Sequence, residues 1–238
     1  MKLIAEITPS AKETFWNKIE EVIDLVDIID IPESPLGEPR PNSIAVSSVI
    51  SMRYGIPVIA HIRVRDVNKI SLLSLCQAAK ISRIYGILLT RGDKSDIDLN
   101  LSSEEAAEII RSNTFCGYSV NIGSVLSFRY IDEKIFERLS KDFNFYLAIF
   151  PRYGDLERLN MVRSHALILN KNIYTYVIVR TRKNRDIIDN LNQFYIDIED
   201  LDKIPEAILK HSDGLLISCP ADWRGLIRSL KHVKSIIG

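Results

Sequence analysis

A chain of 238 residues is long enough to bury a large core, either as one α/β domain or as two small ones. Its 31 basic side chains balance 31 acidic ones, so it lacks the one-sided positive charge that a nucleic-acid footprint or a polybasic membrane surface requires. Cys76, Cys116 and Cys219 are far apart and form no C-x-x-C pair, which argues against a disulfide framework and a cysteine zinc site and marks them as small buried hydrophobes.

The N-terminus places Glu6 where a signal peptide would need its apolar region, and no apolar run of about 18 residues occurs. The expectation is a soluble protein of a reducing cytoplasm. Glutamine is confined to Gln77 and Gln193 while Ile, Lys, Arg and Glu abound, a bias of proteins from hot environments. Along the chain, short β-branched runs alternate with amphipathic stretches. A strand over 3–7 precedes a helix over 11–24, and one over 26–31 a helix over 42–54. Strands over 58–64 and 85–90 precede helices over 68–83 and 102–113. The second half continues with strands over 117–122, 145–150, 173–179 and 214–218. Their helices fall over 132–142, 155–170, about 184–210 and 223–236.

These eight strand-then-helix units imply parallel pairing through right-handed crossovers, in the number that closes a (β/α)8 TIM barrel. No linker, charge block or low-complexity tract interrupts them, so residues 1–238 read as a single TIM-barrel domain. A doubly wound open sheet is the rival, but it wants a glycine-rich phosphate loop after its first strand, and Glu6-Ile7-Thr8-Pro9 has no glycine. Ser102-Ser103-Glu104-Glu105 has the form of a helix cap with carboxylates in the first turn. The proline-rich stretch from Pro32 to Pro41 is either a stiffened ligand wall or a stiff connection.

In a barrel the strand exits gather on one face, and here they carry charge. Glu6 follows the first strand, Asp30 the second, and His61, Arg63, Arg65 and Asp66 lie along or after the third. Arg91 and Asp93 leave the fourth at a glycine turn, and Asn121 leaves the fifth. A carboxylate such as Glu6 inside an apolar run is either paired, with Arg63 or Arg65, or used. Desolvation would raise its pKa into the range of a general acid. His61 is open to a structural reading as a satisfied core histidine. No H-x-x-E or H-E-x-x-H spacing supports a metal, and no G-x-S-x-G elbow suggests acyl transfer.

Four of these segments together resemble the flavin-dependent methylenetetrahydrofolate reductases. Glu6-Ile7-Thr8-Pro9 resembles that family's opening strand, and Asp30 to Gly37 with Arg40 to Ala45 its second loop and helix start. The stretch from Val58 to Asn68 is similar to its third strand, and Leu88 to Asp93 to its fourth. The resemblance implies a barrel with a flavin across its mouth, FAD or alternatively FMN. Reduced pyridine nucleotide, NAD(P)H, would be the electron donor, and a tetrahydrofolate or related pterin the substrate, in the one-carbon metabolism that serves methionine biosynthesis. It further implies that Glu6 is the general acid and that Asp93 lies near the flavin N1 and C2 oxygen. His61 and Arg91 would hold the cofactor, with Asp30, Arg63, Asn121 and Arg138 as further cofactor-side candidates.

Beyond the fourth strand the likeness fades. The family's sixth strand ends in a threonine–glutamine pair that binds folate, whereas Ile149 stands near that glutamine's place. The glycine and proline of its seventh strand are replaced by Thr175-Tyr176-Val177-Ile178-Val179-Arg180. Three readings follow: a reductase acting on a folate or modified pterin, a flavin-binding or catalytically silent subunit of a multi-chain reductase, and a pterin-binding methyltransferase component. A homo-oligomer or a partner subunit is expected to complete or cover the site.

Overall fold

Alternating side chains decide the architecture. In the first strand, β1 (Lys2–Glu6), Leu3 and Ala5 face the helices while Ile4 and Glu6 face the opposite way. The same two-sided pattern recurs in β2 (Ile28–Ile31), β3 (Val58–Arg63), β4 (Gly86–Thr90), β5 (Asn121–Ser127), β6 (Phe145–Ile149) and β7 (Asn172–Arg180). A short β8 (Tyr195–Asp197) and the final β9 (Gly214–Ser218) complete the set among the described residues. The computed structural model describes residues 1–92 and 99–238.

All pairings are parallel, and the hydrogen-bonded order runs β6-β5-β4-β3-β2-β1-β9-β7, with β6 paired back to β7. The sheet therefore closes on itself as a single (β/α)8 barrel. The short β8 is an appendage, attached to the C-terminal end of β7 through Ile178, Val179 and Arg180. Around the barrel lie α1 (Thr14–Val22), α2 (Ser43–Tyr54), α3 (Lys69–Ile81), α4 (Ser103–Arg111), α5 (Asp132–Leu139) and α6 (Leu159–Ile168). They are followed by α7 (Arg185–Asp189), α8 (Glu206–His211) and α9 (Trp223–Ile237). Helix α4 starts at the expected cap, with a reciprocal capping box between Ser102 and Glu105.

Two apolar layers result. The large one lies between strands and helices; the smaller fills the barrel with Ile4, Ile28, Ile59, Leu88, Phe145, Leu147, Tyr174 and Leu216. All three cysteines are buried and free, as their spacing implied. Among the described residues no helix is long and apolar enough to cross a membrane.

Two expectations are corrected. The fifth strand runs over Asn121–Ser127 rather than 117–122. Gly123, beyond the expected end, is in the strand, and the Phe145 ring occupies the place of its side chain: a Cβ there would lie 2.2 Å from Phe145 Cε2. The helix expected over about 184–210 is instead α7, β8, a 3-10 turn over Ile198–Lys203 and α8. Phe194-Tyr195-Ile196 favours extended backbone, and Pro205 bars a continuous helix.

Candidate active site

The inward positions at the C-terminal ends of the strands are polar, directly above the apolar filling. One layer above Ile4, Ile28, Ile59 and Leu216 stand Glu6, Asp30, His61 and Ser218. They form the floor and surroundings of a cavity of about 630 Å³ at the mouth, within the size range of small-molecule sites. Its wall takes Leu88 to Gly92 from β4 and its exit, Val125 and Ser127 from β5, and Leu147 and Ile149 from β6. Pro32, Glu33 and Pro35 close one side, so the proline-rich loop forms part of the cavity wall.

Glu6 is at the deep end. Its carboxylate accepts a 2.6 Å hydrogen bond from the Ser218 hydroxyl and bonds at 3.1 Å from the Tyr176 hydroxyl. Among the described residues no ion pair joins Glu6 to Arg63 or Arg65; Arg63 donates to the Ser34 carbonyl at 2.8 Å and pairs with Asp66 at 2.7 Å. Burial raises the pKa of Glu6 above its ordinary 4.5, and the charge of Asp30 raises it further, against the lowering bonds from Ser218 and Tyr176 and the nearby His61. Burial likewise lifts the Tyr176 hydroxyl well above its usual range, reinforced by the charge of Glu6. This hydroxyl is a donor, not a base.

His61 Nε2 lies 2.9 Å from Asp30 Oδ1. Burial disfavours the charged ring, but Asp30, Glu6 and Glu33 together outweigh it and raise the His61 pKa above 6.5. Asp30 lies behind the wall at 1% exposed, while His61 reaches the cavity at 8%.

The shifted Glu6 has a thermodynamic signature. Between pH 4.5 and its higher folded value the folded state keeps a proton that the unfolded chain has released, so stability falls as pH rises through that window. Glu6→Gln is expected to gain stability over the parent at pH 6.5 and not at pH 4, measured by denaturant unfolding. An equal effect at both values would mean that Glu6 titrates normally.

The other expected site residues divide. Arg63 and Arg91 line the cavity. The stem of Arg63 also lies under the β4 exit, where Gly92 has φ +76° and a Cβ would sit 2.8 Å from Arg63 Nε. Both the turn and the contact require glycine. Arg138 reaches the wall from α5, donating at 2.7 Å to both the Val125 carbonyl and Ser124 Oγ and pairing with Glu104. It braces α4 against β5. Asn121 is not brought to the mouth: it opens β5 at the opposite end, exposed, with Nδ2 donating to the Tyr85 carbonyl at 2.9 Å. Its misplacement follows from the displaced fifth strand. Asp93 lies outside the described residues.

Tyr176, Ser218 and Gln193 were not among the expected site residues. Tyr176 and Ser218 share inward parity with Tyr174 and Leu216, a signal the alternation carries. Gln193 enters from the loop before β8, inside the segment read as helix. Among the described residues no group of three His, Cys, Asp or Glu is arranged to hold a metal ion.

Barrels often bind phosphate at the turns after the last strands. Here Asp222 fills that place: Oδ1 accepts from Gly225 N at 3.1 Å and Oδ2 from Thr181 Oγ1 at 2.9 Å, at the start of α9. A phosphate brought there would meet a carboxylate already holding the helix end.

No family model matches the chain, and no curated protein does. Solved structures are similar over nearly its whole length. A tryptophan synthase complex from Pyrococcus furiosus has a chain 12% identical, covering 99% of this chain and 97% of that one, TM-score 0.62. Orotidine 5'-monophosphate decarboxylase from Methanocaldococcus jannaschii is 13% identical over 100% and 98%, TM-score 0.61. A Clostridium thermocellum protein that binds two copies of 5-methyl-5,6,7,8-tetrahydrofolic acid is 14% identical over 99% and 95%, TM-score 0.68. At such identities the likeness establishes the barrel, and the chemistry must come from the side chains.

Proposed function

We propose that this chain binds a flavin over β3, β4 and β5 and reduces the methylene group of a tetrahydrofolate or modified tetrahydropterin to methyl, as a methylenetetrahydrofolate reductase does. The observation that carries the reading is Glu6: a partly buried carboxyl with raised pKa, held by Tyr176 and Ser218 at the floor of the cavity. The resemblance from Glu6 to Asp93 supplies the family, and the similar folate-binding barrel is consistent with a pterin ligand.

The residues fit a flavin ring. Leu88, Val125, Leu147 and Ile149 offer an apolar slot for its planar body, while Thr90 and Arg91 offer polar partners at one edge. Such a group, once reduced by NAD(P)H, supplies the hydride. The chain supplies the rest. Glu6, its pKa raised by burial, gives its proton to the pterin's five-membered ring and opens it toward the iminium, and Tyr176 and Ser218 then stabilise the carboxylate left behind. The apolar wall excludes water from that exchange. Arg63 and Arg138 hold the rim in place.

Ile149 in the wall favours a modified pterin over ordinary folate, since it can make no hydrogen bond there. Gln193 is an amide that does face this cavity, as does Asn100. Gln193→Ala is expected to raise KM for the methylene-pterin about 3–10-fold, the worth of one hydrogen bond, with flavin affinity unchanged. An unchanged KM would remove Gln193 from substrate binding. The cofactor is tested directly by titrating the protein with FAD and with FMN, following flavin fluorescence and the visible spectrum. Binding of neither would overturn the flavin reading.

A further inference from the structure

The cysteines are far apart in sequence, yet two of them meet in space. Cys76 lies in the body of α3 and Cys116 in the turn that follows α4, 0% and 1% exposed. The Cys116 thiol donates to the Leu73 carbonyl at 3.7 Å, and Leu73 is on the turn of α3 over which the Cys76 side chain leans. The two thiols accordingly hydrogen-bond each other. Three further bonds seat the turn against α3 and α4. Lys80 Nζ donates to the Phe115 carbonyl at 2.8 Å, Cys116 N to Asn113 Oδ1 at 3.1 Å, and Arg111 Nη1 to the Gly117 carbonyl at 2.9 Å. Cys219 is elsewhere, its sulfur accepting from Asn184 Nδ2 at 3.5 Å. The proposed reaction uses neither Cys76 nor Cys116.

We propose that Cys76 and Cys116 are a disulfide-forming pair, oxidised by exchange with a small-molecule disulfide of the glutathione kind. The Cys116 sulfur attacks one sulfur of that molecule, and the first small thiol leaves with the proton that Cys116 gives up. The Cys76 sulfur then attacks the Cys116 sulfur, and the second small thiol leaves with the proton of Cys76. Two protein thiols are oxidised to one disulfide, and one small disulfide is reduced to two thiols. Exchange starts at Cys116 because its neighbours in the turn, Phe115 and Tyr118, are exposed, so this segment opens more readily than the helix body. Cys76 follows, since burial and the bond with Cys116 hold its thiol well above the usual range. The bond encloses residues 77–115, and with them Leu88 to Gly92 and Asn100 to Glu104 of the cavity wall. Scarce glutamine marks the composition of proteins from hot environments, and intracellular proteins of the most heat-adapted organisms are rich in disulfides. The pairing is independent of the ligand the cavity takes.

The test uses the folded wild-type protein incubated with oxidised glutathione. Remaining thiols are then blocked, and the peptides are mapped by mass spectrometry without reduction. The expected product is a Cys76–Cys116 linked peptide, lighter by two hydrogen atoms than the reduced pair, in a protein that keeps the mass of one chain and a free Cys219. Loop closure of this length should raise Tm by about 4–16 °C, and dithiothreitol should reverse the rise. Cys76→Ala and Cys116→Ala should each show no rise with oxidised glutathione; the wild-type map stands whether or not these variants fold. Three free thiols, a glutathione adduct on Cys116 that goes no further, or a linkage through Cys219 would each overturn the inference. A cross-linked protein whose Tm is unchanged or lower would overturn it as well.

Discussion

Glu6→Gln is expected to lower kcat/KM for methylene-pterin reduction about 10²–10⁴-fold, the usual contribution of a positioned general acid. That is about 3–5 kcal/mol of transition-state stabilisation. The substitution keeps the size of the side chain and an oxygen for the 2.6 Å bond from Ser218, so packing in the barrel is preserved. What it removes is the transferable proton. Reduction of bound flavin by NAD(P)H should therefore persist, because no proton from Glu6 enters that half of the cycle. Tyr176→Phe and Ser218→Ala are expected to cost less, since each removes one donor to the carboxylate and leaves the acid itself. Both donors favour the ionised form, so their loss should move the alkaline limb of the pH profile, where Glu6 gives up its proton, upward. Pterin reduction retained in Glu6→Gln would exclude the acid role.

Much of this site was readable because strands impose a period of two. Once Ile4 is inside the barrel, Glu6 must be as well, and the same parity carries Asp30 above Ile28 and His61 above Ile59. Register is a different matter. The parallel pairing of Ser124 with Leu89 and of Leu126 with Ala148 depends on a glycine tolerated for its neighbour's ring, and no local propensity announces that. The fifth strand was accordingly placed too early, and Asn121 went with it to the wrong end. Tyr176 was seen only as a departure from a glycine- and proline-bearing strand. Its partner, Glu6, is 170 residues away, and such a contact is fixed by barrel closure. Gln193 lies in a segment where apolar spacing suits a helix as well as the turn and short strand that form. The capping box at Ser102 shows the opposite case: a signal complete within four residues was legible and is present.

The largest effect on stability is expected at the lower end of the barrel, where one aromatic ring replaces several side chains. Phe145, 2% exposed, lies across β4 and β5; a Cβ on Gly86 would come within 2.9 Å of its ring and one on Gly123 within 2.2 Å. The ring also packs against Tyr174 at 5.7 Å between centroids. Phe145→Ala should destabilise by about 3–5 kcal/mol, through lost burial and the cavity left between strands that cannot close in. For a domain of this size each kcal/mol is about 2–4 °C in Tm, so a fall of about 6–20 °C is expected by calorimetry. Gly123→Val should cost at least about 1–3 kcal/mol by overpacking, because the ring has no free direction to move. Size complementarity makes the two changes interdependent. In the double variant the valine occupies part of the space the phenyl ring vacates, so Gly123→Val/Phe145→Ala should be more stable than the sum of the two losses predicts, by a coupling of about 1–3 kcal/mol. Simple addition of the two losses would show that glycine at 123 serves the strand backbone and not the ring. Either outcome bears on the site, because β4 and β5 carry both this plug and, at their other ends, the slot lined by Leu88 and Val125.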